Sequence, residues 1–244
     1  MIIDSHCHID LYDDPRKVLI ESEKAGIVVL SMTNLPSHYE MGLPFFLNSK
    51  KIRLALGMHP LFAQYHEAEF SKFESNFSNT SYIGEVGLDF SREGFSTKEI
   101  QLKTFVRILN LVSGKKKILS IHSRRAEKEV LNLLIEHKVT NAIFHWYSGP
   151  LNLIDQIVEA GYYFSVNPAM VKSESGKKII QRIPFDRLLT ETDGPFIEEE
   201  GKTIMPGKVE SVIQYLALLW NMNTADVQLR ISSNFQQMIQ ALRD

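Results

Sequence analysis

The sequence predicts an α/β protein folded as a (β/α)8 TIM barrel, and three observations predict it. Short β-type apolar runs alternate with amphipathic helical stretches along the chain. Eight such runs are present, the number that closes a parallel sheet into a barrel. The chain has 244 residues, and a barrel of this kind takes about 250 as one unit. An open doubly wound sheet is the structural alternative, but no Gly-x-Gly-x-x-Gly follows a strand.

The elements follow in order. The first strand is expected over Met1–Ile9 and a helix over Pro15–Ala25. Gly26 then marks the return into the strand "IVVLSMT", Ile27–Thr33. Two strands come next, Ile52–Met58 and Ser81–Val86. The helix Thr97–Val112 carries apolar residues at 102, 105, 106, 109 and 112, one stripe of a 3.6-residue period. Strand Ile118–His122, helix Ala126–His137, strand Ala142–His145 and helix Leu151–Ala160 continue the alternation. Gly161 precedes strand Tyr162–Val166, and Arg187–Thr190 is the eighth strand. Helices at about Gly207–Asn221 and Thr224–Leu242 complete the outer ring, with Asn234 expected to cap the last. "EEEGKTIMPGK" reads as an exposed loop. With no repeat, linker or low-complexity segment, residues 1–244 are expected to form one domain.

Bulk properties narrow the function. A net charge of −2 argues against a long non-specific grip on duplex DNA, without excluding nucleic-acid chemistry at one local site. The single cysteine, Cys7, cannot form an intramolecular disulfide, which fits a reducing compartment. No signal peptide and no apolar run of about 18 residues is seen, so the expected location is cytoplasmic, with no membrane partner.

The opening "MIIDSHCHID" places two imidazoles at spacing two. On a strand they share a face, with Cys7 on the other and packed. Alone, the pair reads equally as metal ligands or as polar residues on a half-wet strand. Other strands end in the same chemistry: Glu85 in "YIGEVGLDF", His122 in "ILSIHSRRA", His145 in "AIFHWYSG" and Asp193 in "LLTETDGPF". In a barrel these ends meet at one mouth, where active sites sit. Four histidines and two carboxylates exceed what one tetrahedral ion needs and suit two divalent ions sharing a carboxylate. Mixed nitrogen and oxygen donors admit Zn, Mn, Mg or Co.

"DSHCHID", "ALGMHP", "YIGEVGLDF", "IHSRRA", "FHWYSG" and "TETDGPF" occur in the order seen in TatD-family metal-dependent nucleases, which the chain resembles over nearly its whole length. The resemblance implies a metal-dependent hydrolase barrel. It also implies that His6, His8 and Asp193 hold one ion, that His122 and His145 hold the other, and that Glu85 bridges them. "HCHIDLYDDP", "HWYSG" and "FSVNPAM" further resemble the QatD branch of Qat antiphage defence systems. That branch implies protein partners: an ATPase, a QueC-like enzyme and a small subunit.

The expected reaction is divalent-metal hydrolysis of a phosphodiester in DNA or a nucleotide-containing end, with Glu85 fixing the ions and Asp193 orienting and deprotonating water. Arg124 is the expected phosphate clamp, while Arg125 is expected at the surface. His59 reads equally as a phosphate donor or as a loop-closing hydrogen bond, and Arg92 is a weaker substrate contact. Lys115, Lys116 and Lys117 are expected in a solvated turn, and His38, His66 and His137 at the surface. The family's Arg-Asn-x-Pro segment is missing after Asp193. An acidic stretch stands there, unfavourable to a long polyanion. Trp146 and Tyr147 replace the commoner Cys-Phe; each suits either base stacking or core packing. The rival readings are hydrolysis of another nucleotide-linked ester, such as D-aminoacyl-tRNA, and a non-catalytic binding subunit. Glu85 stands where cyclic-amide hydrolases often carry a modified lysine, which disfavours that chemistry.

Overall fold

Nine parallel strands form the wall in the computed structural model, which describes residues 1–199 and 201–242. They are β1 (Ile3–Cys7), β2 (Val28–Ser31), β3 (Ile52–Leu54), β4 (Leu56–Met58), β5 (Tyr82–Gly87), β6 (Ile118–His122), β7 (Ala142–His145), β8 (Tyr163–Val166) and β9 (Leu188–Thr190). One ladder runs β1-β2-β3 and the other β4-β5-β6-β7-β8-β9. The expected third strand is thus split at Ala55.

Thr33 explains the split. Its hydroxyl donates to the Ala55 carbonyl at 2.9 Å and accepts from the Gly57 amide at 3.1 Å. A side chain stands where ladder bonds would otherwise run, so the wall turns a corner. Gly57 is required at that corner, because a Cβ there would lie 1.6 Å from the Thr33 carbonyl oxygen.

The second corner closes the barrel, again through side chains. Ser5 Oγ donates to the Thr190 carbonyl (3.0 Å) and Thr190 Oγ1 to the Ile3 carbonyl (2.5 Å). Buried Asp4 accepts from the Thr192 amide and hydroxyl and from the Gly207 amide, at 2.9, 2.6 and 2.8 Å. Beyond them, the Asp193 amide donates to the His6 carbonyl (2.9 Å) and the His8 amide to the Gly194 carbonyl (2.7 Å).

Helices surround this wall. Pro15–Lys24 starts under an Asp14 cap that accepts from the Lys17 amide, with Pro15 at its first position. Lys98–Val112 buries Phe105, Leu109 and Val112 of the expected stripe and adds Ile108, while Leu102 and Val106 are half-buried. Leu151–Glu159 lays Leu153, Ile154 and Ile157 on the wall. There Phe144, Tyr147, Tyr162 and Phe164 form an aromatic cluster with ring centroids 5.4–6.3 Å apart, each pair worth about 0.5–1.5 kcal/mol beyond its burial. Among the described residues no helix is long and apolar enough to cross a membrane.

Several expectations change. β1 ends at Cys7 rather than Ile9, because the Ile9 amide donates to Ser31 Oγ and the chain turns into a short 3-10 helix, Ile9–Leu11. Asn223, not Asn234, caps the last helix, Thr224–Gln240. Asn234 lies inside it and donates to the Phe185 and Leu188 carbonyls, tying the helix to β9. His66 is buried, its Nε2 3.0 Å from the His59 carbonyl. Lys117 is half-buried and donates to the Phe77 and Thr80 carbonyls. The expected loop after Phe196 holds a two-stranded hairpin, β10 (Glu198–Glu199) with β11 (Lys202–Thr203), and then buries Ile204. Glu200 of that stretch lies outside the described residues.

Candidate metal centre

Glu85 is the hub of the mouth. It is 3% exposed and faces five imidazoles. Its two oxygens divide them. Oε2 lies 3.5 Å from His6 Nε2 and 3.2 Å from His8 Nε2. Oε1 lies 3.3 Å from His59 Nε2, 2.6 Å from His122 Nδ1 and 2.8 Å from His145 Nε2. Asp193 closes the first group, with Oδ1 3.5 Å from His6 Nε2 and 3.9 Å from His8 Nε2.

His6, His59 and His122 are aimed by what the other ring nitrogen meets, whereas Nδ1 of His8 and of His145 is buried without a hydrogen bond among the described residues. His6 Nδ1 lies 2.7 Å from Ser120 Oγ, and the ring stacks on His145 at 3.7 Å. His122 Nε2 lies 2.8 Å from Asp89 Oδ2, so an N–H donated there leaves the Nδ1 lone pair for the centre. His145 Nδ1 is 3.8 Å from Glu191. His59 differs. Its Nδ1 accepts from the Leu61 amide at 3.1 Å, which puts the neutral ring's proton on Nε2. His59 therefore faces the cluster as a donor and closes its loop at the same time; of its two sequence readings the loop-closing bond is the one seen here.

Electrostatics follow from burial. Burial alone would push the Glu85 carboxyl up, but His59, His145 and His122 hold it well below the usual carboxylate range. Burial pushes His6 down to about 3, keeping its ring neutral and its lone pair free. Burial pushes the Asp193 carboxyl up to about 7, against the opposing pull of His145 and His8. Asp89 is held at about 2 despite burial, by hydrogen bonds from His122 and Ser91.

This donor set fits divalent ions. The groups His6–His8–Asp193 and His6–Glu85–His145 each offer ligand atoms within 4.8 Å of one another; His59 lies as close to Glu85 and His122, but its Nε2 carries the ring's proton. His6 and His8 bring their Nε2 atoms to 3.2 Å, and two lone pairs at that distance need a cation or a shared proton between them. Imidazole and carboxylate together are the ligands of zinc-class and manganese-class ions.

All six expected ligands meet here: His6, His8, Glu85, His122, His145 and Asp193. Arg124 lines the same cavity of about 730 Å³, but its guanidinium donates to Glu93 at 2.7 Å. Arg92 is exposed and does not line the cavity. Trp146 lines it, whereas Tyr147 is core, donating its hydroxyl to the Pro150 carbonyl at 2.8 Å. Cys7 is buried, as expected.

Sequence reading missed Asp89 and Glu191. Buried Glu191 accepts from Ser165 Oγ, from Asn167 Nδ2 at 2.9 Å and from the Trp146 amide at 3.1 Å, where the backbone turns to φ +38°. Its signal was present: in "TETD", Glu191 stands two residues before Asp193.

Comparison with known proteins agrees. A family model described as TatD related DNase matches residues 3–240. An uncharacterized metal-dependent hydrolase of Methanocaldococcus jannaschii is 27% identical, covering 95% of this chain and 94% of its own length. Deoxyribonuclease TATDN3 of Homo sapiens is 26% identical, covering 99% and 96%. A TatD homologue of Escherichia coli K12 superposes with a TM-score of 0.86 at 22% identity, covering 98% and 97% of the two chains. A TatD-family hydrolase of Entamoeba histolytica gives 0.80 at 19%, covering 97% of each. These two structural likenesses bear on the fold alone.

Proposed function

The chain belongs to the TatD-related DNase family and is a metal-dependent hydrolase of ester bonds, and from that premise we propose that it cleaves phosphodiesters in DNA or a nucleotide-containing end. Residues 1–244 act as one domain in this reading. The observation that carries it is Glu85, whose two oxygens face two different sets of imidazoles.

Two divalent ions are the cofactor in this reading, drawn from Zn, Mn, Mg or Co. His6, His8 and Asp193 would hold one, His122 and His145 the other, and Glu85 would serve both. When bound, such ions neutralise a phosphodiester, activate water and stabilise the leaving oxygen. The protein's own groups do the rest. Asp193 orients the attacking water and accepts its proton. His59 donates from Nε2 to a phosphate oxygen. Arg124 binds the phosphate once it leaves Glu93, since guanidinium matches phosphate geometry.

The motifs shared with the QatD branch support a role in antiphage defence beside Qat protein subunits, in the cytoplasm. The test is nuclease activity and metal content in wild type and Glu85→Gln, before and after chelation. Chelator-sensitive hydrolysis of labelled single-stranded DNA, lost by at least 100-fold in Glu85→Gln, is expected. Activity indifferent to both chelator and Glu85 removes this reading. D-aminoacyl-tRNA assayed in parallel separates the other ester.

A further inference from the structure

We propose that Phe196 is a nucleobase platform, so that the mouth grips its substrate by one stacked base more than by backbone charge. This rests on the phosphodiester reading and names the binding site within it. Phe196 is 59% exposed, yet it stands at the wall of the cavity that contains Glu85, His122, His145 and Asp193. Its ring makes a T-shaped contact with His8, centroids 5.2 Å apart, and more than half of its surface stays open. Trp146 lines the same cavity but is packed against the core.

The position of Phe196 is fixed although its ring is open. Its amide donates to the Asp193 carbonyl at 2.9 Å, and the Ile204 amide donates to the Ile197 carbonyl at 3.0 Å, anchoring the chain on its far side. A rigidly mounted, exposed aromatic beside a reactive centre costs free energy until something covers it. The exposed Leu11, from the turn after β1, widens that apolar wall.

Charge selects the occupant. Among the described residues Arg124 is the one arginine or lysine lining the cavity, and Glu93 already neutralises it. Exposed Glu198 stands two residues beyond Phe196, and Glu199 is taken up by Lys172 at 3.0 Å. A phosphate chain running past this rim meets repulsion, not a basic track. One phosphate over the metal centre and one planar, uncharged ring on Phe196 satisfy both features. Base–aromatic stacking contributes about 1–3 kcal/mol per base, or roughly fivefold to 150-fold in affinity.

Two esters with the same scissile bond and leaving group test this: thymidine 5′-(p-nitrophenyl phosphate) and methyl p-nitrophenyl phosphate. In the metal-loaded wild type, kcat/KM is expected to favour the thymidine ester by about tenfold or more. Phe196→Ala and Phe196→Leu should each collapse that ratio by about tenfold, and Phe196→Tyr should keep it, because only tyrosine retains a ring face. Calorimetric binding of thymidine 5′-monophosphate against 2-deoxyribose 5-phosphate gives the same comparison without turnover. Hydrolysis of both esters at equal rates by wild type, or an unchanged ratio in Phe196→Ala, overturns the platform and leaves the phosphodiesterase reading standing. Hydrolysis of neither ester overturns both.

Discussion

At the scale of single residues, three imidazoles of the centre have their second nitrogen already committed: His6 to Ser120, His59 to Leu61 and His122 to Asp89. Asp89 shows what that arrangement contributes, because it fixes both the tautomer and the direction of His122. Asp89→Asn is expected to weaken metal affinity and kcat by about 10–100-fold with little change in Tm, checked by metal titration beside steady-state kinetics. Asp193→Asn should go further. An amide cannot accept the water's proton, so kcat should fall by at least about 100-fold while the circular dichroism melt stays within a few degrees. Near-normal turnover in a purified, folded Asp193→Asn protein removes Asp193 from the mechanism. The six candidate ligands were legible in the sequence because each is a ligand-type side chain at a strand end, and the strand ends of a barrel meet at one mouth. Asp89 was not, because its role exists only through the His122 ring, which comes from another strand; Glu191 left a spacing signal beside Asp193, but its bonds to Trp146, Ser165 and Asn167 cross between strands.

At the scale of elements, the alternation of runs and stripes carried the wall and most of its helices. The corners escaped, and for one reason. Periodicity reports which face is apolar, whereas Thr33 acts by replacing main-chain bonds with side-chain ones. A threonine in an apolar run looks like any β-branched strand former. His66 was misjudged similarly: a histidine in a helical stretch reads as surface until the His59 carbonyl is placed against it. Thr33→Val keeps shape and loses both corner bonds, leaving the Gly57 amide and the Ala55 carbonyl short of a partner. The expected cost is about 2–4 kcal/mol, read from urea midpoints at an unchanged m-value. A loss under 0.5 kcal/mol would show that the corner is held by packing alone.

At the scale of the whole molecule, buried histidines tie stability to pH. Burial holds His66 at about 4, against an ordinary value of 6.5. Between those limits the unfolded chain takes up a proton that the native one refuses. Its contribution to stability is therefore complete above pH 6.5, drains away as pH falls to about 4, and changes no further below. The expected loss is about 3 kcal/mol, and His66→Gln should unfold with a correspondingly flatter dependence on pH over that window. Parallel wild-type and variant curves would assign the acid sensitivity to other groups. The closing seam has a consequence of a different kind. Residues 3–8 meet residues 188–194 there, contacts such as Ser5 with Thr190 that span 185 positions. His6 and His8 stand on one side of the seam and Asp193 on the other. Contacts that distant form late, since the intervening loop must be ordered first. A nascent chain on the ribosome thus carries two histidines of its candidate centre for most of its synthesis without Asp193, the partner across the seam. The cell that makes this enzyme meets its chemistry only after the barrel has shut.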